Sequence, residues 1–213
     1  MYNHKLTGLY AITDATQTNQ QQLTNDVEQA LLGGARIVQY RDKTTQHKQR
    51  CNTARRLRKL TRQHNALFII NDDVTLAKDS HADGVHLGQD DLSISAARAQ
   101  LGPTAIIGVS CYNDFLLAKQ AADNGADYIA FGRFFPSRTK PDAIQAGLET
   151  LQRAKCELDI PIAAIGGITT ENADILINAG ADMLAVVDDI FSRTDIKATT
   201  LHYQKLFTKK HKQ

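Results

Sequence analysis

Short apolar runs alternate with longer amphipathic ones along the whole chain, and that alternation limits the fold more than any other feature. The strand candidates are Leu9–Thr13, Arg36–Tyr40, Leu67–Asn71, Gly84–Leu87, Ala105–Ser110, Tyr128–Gly132, Ile162–Gly166 and Met183–Asp188. They are rich in Ile, Val, Leu and Phe, with little of the strict alternation of a half-wet sheet, as expected for parallel strands buried on both faces. Between them the pattern predicts helices over Gln20–Leu32, Gln46–His64, Val74–Lys78, Ser93–Gln100, Asp114–Asp123, Ala146–Lys155, Glu171–Asn178 and Asp195–Phe207. Cap residues are expected at Ser93, Asn113 and the Thr169–Thr170 pair. Leu116, Leu117 and Ala121, at helical spacing, read as core. Eight strands alternating with eight helices indicate βαβ units around a parallel sheet.

An internal repeat narrows the topology. Gly34-Ala35-Arg36, His81-Ala82-Asp83, Gly125-Ala126-Asp127 and Gly180-Ala181-Asp182 each lie just before the second, fourth, sixth and eighth strand candidates. In such a junction a glycine ends the helix in the left-handed conformation, and a small alanine lets the chain turn into the next strand. Repetition at every second strand suits a (β/α)8 TIM barrel, in which alternate strands share an interior layer. A doubly wound open sheet is the alternative, though it gives no reason for a fourfold pattern. At 213 residues the chain is short for such a barrel, typically about 250, so one domain over 1–213 is expected and function is confined to the strand-end loops.

Composition removes several function classes. Lys and Arg total 25 against 23 Asp and Glu, a net charge of +2, which argues against a general nucleic-acid or membrane-surface binder. The basic tail, Lys205 to Lys212, reads as a solvated helix end. Three widely spaced cysteines, Cys51, Cys111 and Cys156, suggest neither a disulfide framework nor a zinc site and suit a reducing compartment. No stretch approaches the roughly 18 apolar residues of a membrane span, and MYNHKLTGLY does not read as a signal peptide. A cytoplasmic protein is expected, with a homo-oligomer left open.

In a barrel the active site lies where strands end and βα loops begin, and the polar residues of this chain gather there. After the second strand come Gln39, Arg41 and Lys43, alternating so that all three can face one side. Arg as a bidentate fork and Lys as a point charge make an anion site; the plainer reading is a charged strand exit in solvent. The third strand ends Asn71-Asp72-Asp73 and the fourth Gln89-Asp90-Asp91. Carboxylates from successive strand ends can hold a hard cation such as Mg2+, although one of each pair could equally cap the next helix. Ser110, ending the fifth strand, reads as a ligand hydrogen bond, since no GxSxG elbow surrounds it. Cys111 reads as a small buried residue and His86 as a structural or supporting histidine. The long loop Arg133–Gln145 carries Ser137, Arg138, Thr139 and Lys140, a second anion site or lid. Gly166-Gly167 could bare backbone amides to a phosphate. There is neither a Walker pattern nor a GxGxxG. The residues alone describe a diphosphate-handling transferase or lyase better than a hydrolase, because no clear general base stands out.

These motifs, taken in order, resemble the thiamine phosphate synthases. The resemblance runs from Leu9-Tyr10-Ala11-Ile12-Thr13-Asp14 to Val186-Val187. It includes Gln39-Tyr40-Arg41-Asp42-Lys43, Ile70-Asn71-Asp72-Asp73, Val85-His86-Leu87-Gly88-Gln89-Asp90-Asp91, Gly108-Val109-Ser110, Phe135-Pro136-Ser137-Arg138-Thr139-Lys140 and Ala164-Ile165-Gly166-Gly167-Ile168. It implies a TIM barrel that joins a pyrimidine methyl diphosphate to a thiazole phosphate, giving thiamine phosphate and pyrophosphate. By the resemblance, the Gln39–Lys43 segment (Gln39, Tyr40, Arg41, Asp42, Lys43), Asn71, Ser110 and Lys140 bind the pyrimidine diphosphate. Asp72 and Asp91 hold Mg2+, and Ser137, Arg138, Thr139 and Gly167 bind the thiazole phosphate. Arg41, Lys43, Ser110 and Lys140 are the expected catalytic set. Two departures stand out: PSRTK where many members read PT-x-TK, and Asp188 where a small Ser often follows the eighth strand. A carboxylate there would repel a phosphate unless Asp188 turns away. Two other activities remain on the same scaffold, a thiazole tautomerase-like paralogue and a non-catalytic phosphate-ligand sensor.

Overall fold

Eight parallel strands close on themselves in the order of the chain, the first pairing with both the second and the eighth, which excludes the open sheet. The computed structural model describes residues 6–14, 19–43, 46–136 and 145–210. The strands are β1 Gly8–Ile12, β2 Ile37–Tyr40, β3 Leu67–Asn71, β4 Gly84–Leu87, β5 Ile106–Tyr112, β6 Tyr128–Phe131, β7 Ile162–Ile165 and β8 Met183–Val186. The helices are α1 Gln20–Leu32, α2 His47–Gln63, α3 Val74–Asp79, α4 Ile94–Leu101, α5 Phe115–Asp123, α6 Leu148–Glu157, α7 Ala173–Asn178, α8 Asp188–Phe191 and α9 Ile196–Lys210. None among the described residues is long and apolar enough to cross a membrane.

The strands are apolar throughout because both their faces are covered. Alternate residues, including Tyr10, Ile12, Ile37, Leu67, Ile69, Ile106, Tyr128 and Met183, meet in one buried cluster that fills the barrel. Their neighbours, such as Val38, Phe68, Ile70, Ile129 and Leu184, pack outward against the helices. Gly108 of β5 makes room for the largest lumen side chain: a Cβ there would stand 1.9 Å from the Tyr128 ring.

The repeat serves the N-terminal rim. Gly34, Gly125 and Gly180 have positive φ, and His81 takes the same conformation in their stead. The aspartate two positions on does further work. Asp83, Asp127 and Asp182 each accept the amide of the preceding odd strand, from Phe68, Ile107 and Ile162 respectively. Each also takes a cation from the helix leading into that strand: Arg58 at 2.7 Å, Arg98 at 2.7 Å and Lys155 at 2.8 Å. The same clip thus fastens β3 to β4, β5 to β6 and β7 to β8. Arg36 holds the equivalent place before β2, its side chain lying against Gly8.

Local readings fail in four places. Strand β8 stops at Val186; Val187 leaves the extended conformation, and its carbonyl accepts the amides of Ile190 and Phe191. This makes α8 a ninth helix, hidden in the sequence because the apolar run enters it without a glycine or proline. Asp114, not Asn113, caps α5 by accepting from Leu116 and Leu117, while Asn113 accepts from Gly147 across the mouth. Thr169 and Thr170 belong to a turn closed by Asn172, and α7 begins only at Ala173. Leu116 is exposed; Phe115, Ala118 and Ala121 form the buried face of α5. Ser93 caps α4 as expected, accepting from Ala96.

Candidate active site

The site grows out of the lumen pattern. Continuing the inward-facing set to the C-terminal ends of the strands brings Gln39, Arg41, Asn71, His86, Ser110 and Gly167 around one cavity of about 170 Å³. Tyr40 and Asp42 have the other parity and do not join them. Tyr40 is buried between barrel and helices, and its hydroxyl donates to Asp42 at 2.7 Å.

A chain of hydrogen bonds forms the cavity floor. The buried Gln39 amide donates to the Tyr10 hydroxyl at 2.6 Å, and the Tyr10 and Tyr128 hydroxyls meet at 2.8 Å. The Tyr128 hydroxyl faces Nδ1 of His86 at 2.9 Å, and Nε2 faces the Ser110 hydroxyl at 2.9 Å. Burial holds both phenols well above their ordinary pKa, so they stay protonated. A neutral imidazole donates from one nitrogen and accepts at the other. In the arrangement that runs from the Gln39 donor through Tyr10, Tyr128 and Nε2–H, Ser110 accepts from the histidine and its own proton points into the cavity. Tyr10 lies in the first run that carries the family resemblance and Tyr128 in no motif; what signals a lumen role for both is their inward parity. Cys111 beside Ser110 is buried at a register shift between β5 and β6, and burial pushes its thiol up to about 12, so it is inert.

Charge gathers at the ends of β2, β3 and β4. Asp72 has φ +62°, which breaks the strand alternation; Asn71 lines the cavity, whereas Asp72 turns toward Lys43 and Asp91. Lys43 pairs with the Asp72 carboxylate, while Arg41 lies 3.9 Å from Asp14. Asp91 accepts the Gly88 amide at 2.7 Å. Withdrawal of its carboxyl from water, together with the neighbouring Asp72 charge, holds it above the ordinary aspartate pKa. The remaining aspartates separate from these. Asp73 caps α3 through the Leu76 amide and pairs with Arg50 at 2.7 Å, whereas neither Asp90 nor Asp91 caps α4.

Across the cavity, Gly166 and Gly167 pass so close to the loop after β6 that side chains are excluded. A Cβ on Gly167, which has φ +63°, would stand 2.3 Å from the Pro136 carbonyl. Asp188 also lines this side and is exposed, in the first turn of α8. Ser137, Arg138, Thr139 and Lys140 lie outside the described residues.

The comparisons with known proteins agree with one another. The family model described as thiamine monophosphate synthase matches residues 9–190. A thiamine-phosphate synthase of Alcanivorax borkumensis is 52% identical over 195 residues, covering 92% of this chain and 90% of that protein. One of Nitrosococcus oceani is 50% identical over 200 residues, covering 94% and 92%. Among solved structures, thiamine phosphate pyrophosphorylase from Pyrococcus furiosus superposes with a TM-score of 0.89 at 35% identity, covering 98% of each chain.

Proposed function

The chain belongs to the thiamine monophosphate synthase family, and on that premise we propose how its mouth divides the work. The activity is a transferase reaction of thiamine biosynthesis. It couples 4-amino-2-methyl-5-(diphosphooxymethyl)pyrimidine to 4-methyl-5-(2-phosphooxyethyl)thiazole, or its carboxylated form, releasing thiamine phosphate and pyrophosphate.

Gln39, Asn71 and Ser110 hold and orient the pyrimidine diphosphate, with the Ser110 proton as a donor to it. Arg41, Lys43 and Lys140 meet the charge that builds on the departing pyrophosphate, which is electrostatic stabilisation by preplaced groups. Electron release from the aminopyrimidine lets the carbon–oxygen bond break early, leaving a cation-like methylene that the thiazole nitrogen, held close, captures. No protein nucleophile is needed, in keeping with a Ser110 bonded to histidine yet lacking an elbow, and with an inert Cys111. Ser137, Arg138, Thr139 and the Gly167 amide take the thiazole phosphate.

Asp72 and Asp91 suit Mg2+, a hard cation that commonly takes one or two carboxylates and completes its shell with substrate phosphates and water. Withdrawal from water and, after it, the Asp72 charge hold the Asp91 carboxyl above its ordinary pKa, and a bound cation would offset both. Bound there, Mg2+ would neutralise diphosphate charge. The free thiols of Cys51, Cys111 and Cys156 suit a cytoplasmic setting.

The observation that carries this reading is the convergence of Arg41, Asn71 and Ser110 on one cavity with Gly167 opposite. The chain also keeps Arg41, Lys43, Asp72, Asp91 and Lys140, the diphosphate and metal residues that a thiazole tautomerase-like protein lacks. Protein, Mg2+ and both substrates should release pyrophosphate and form thiamine phosphate. Binding without release, alongside an active control enzyme, would identify a sensor and sink the proposal.

A further inference from the structure

The two loops on the far side of the mouth are joined by a single buried carboxylate. Asp189, the second residue of α8, is 8% exposed. Its Oδ2 accepts the Tyr203 hydroxyl at 2.7 Å and the Thr170 amide at 3.2 Å, while its Oδ1 accepts Arg193 Nε at 3.0 Å. Tyr203 comes from α9 and is fully buried, and its hydroxyl also lies 3.4 Å from the Ile168 carbonyl. Asp189 and Tyr203 thereby grip the loop after β7 on both sides of Thr169 and bind it to the start of α8.

A buried carboxylate is costly unless fully paired, and packed apolar side chains would hold two loops together at least as cheaply. What apolar packing does not supply is a fixed register between two backbones. That register matters here, because Gly166, Gly167 and Ile168 on one loop, and Val187, Asp188 and Asp189 itself on the other, line the cavity. The loop after β7 is already pressed against Phe135 and Pro136, so the tether sets its remaining freedom.

We infer that Asp189 and Tyr203 are positioning residues for the second substrate, fixing the Gly167 loop at the distance from the end of β8 that admits the thiazole phosphate. The inference rests on the site assignment proposed above. It also makes α9, which contributes nothing to the cavity lining, part of the functional apparatus.

The test uses Tyr203→Phe, which removes one oxygen from a retained ring, and the isosteric Asp189→Asn, each compared with wild type by steady-state kinetics and thermal melting. In at least one folded variant, the KM for thiazole phosphate should rise about tenfold, while the KM for pyrimidine diphosphate and kcat stay within about threefold. The double variant should lose little more than the worse single one, because both act through one link. An unchanged thiazole phosphate KM in both variants overturns the inference, as does a parallel rise in both KM values with a lowered melting temperature, the mark of general loosening. Wild-type protein that turns over normally while the variants match it rejects the tether alone. Wild-type protein that releases no pyrophosphate rejects the assignment beneath it as well.

Discussion

The two ends of the barrel use aspartate in opposite ways. At the N-terminal rim, Asp83, Asp127 and Asp182 each receive a backbone amide and a cation, so their charge is satisfied within the fold. At the C-terminal mouth, Asp72 and Asp91 lie together beside Lys43, and withdrawal from water with the Asp72 charge holds Asp91 above its ordinary pKa. The first arrangement stabilises a structure that needs nothing else. On the proposed assignment the second keeps charge available for a ligand, in line with barrels that carry stability at one face and chemistry at the other. Residue type therefore says little about role; the number and sign of the partners around each carboxylate decide it.

Breaking the mouth should give the largest effect. Asp72→Ala is expected to lower turnover by about a thousandfold, the scale of a lost metal or transition-state contact, with little change in melting temperature. Near-normal pyrophosphate release across a Mg2+ titration would remove Asp72 from the metal site. Asp83→Ala breaks the other end. It leaves Arg58 and the Phe68 amide without their acceptor and should cost about 2–3 kcal/mol of stability in denaturant melts. In the protein that remains folded, kcat should be unchanged; a selective loss of kcat would erase the distinction between the two faces.

Titration sharpens the comparison further. Metal binding needs the ionised carboxylate, so Mg2+ affinity should fall by about tenfold per pH unit below the pKa of Asp91. Because that pKa is raised, the fall should begin at a higher pH than an ordinary aspartate would give. Calorimetric titration with Mg2+ alone, showing an onset at the ordinary aspartate range, would refute the raised pKa. The smallest effect belongs to a pair at neither end. Lys119 and Asp123 are both more than half exposed on α5, and Lys119→Ala should change stability by about 0.5 kcal/mol or less.

Much of the site was legible because it obeys the strand period. Gln39, Arg41, Asn71 and Ser110 sit at the ends of apolar runs with inward parity, so spacing alone placed them. Tyr40 and Asp42, expected there from the family resemblance, fall on the other face and do not line the cavity. Tyr10 and Tyr128 carry no expected role because a buried tyrosine in an apolar run looks like any large core residue. Its hydroxyl gains meaning only from partners that other elements of the fold bring to it, such as Gln39 for Tyr10 and His86 for Tyr128. Asp189 and Tyr203 were missed for the same reason.

The sequence by itself determined the eight βα units, their two-unit repeat and the positions of the polar strand ends, because these follow from local periodicity, turn chemistry and the need to bury apolar runs. Tertiary structure alone decided that the sheet closes from β8 onto β1, and that Asp72 turns toward Lys43 and Asp91 while Asp73 turns to Arg50. It also decided that a tyrosine on the last helix ties two distant loops. The closure, the aspartate pairings and the tether depend on groups meeting from separate elements, which neither local propensity nor spacing encodes. The turn into α8 is local, closed by the Val187 carbonyl, and the apolar run that enters it conceals it.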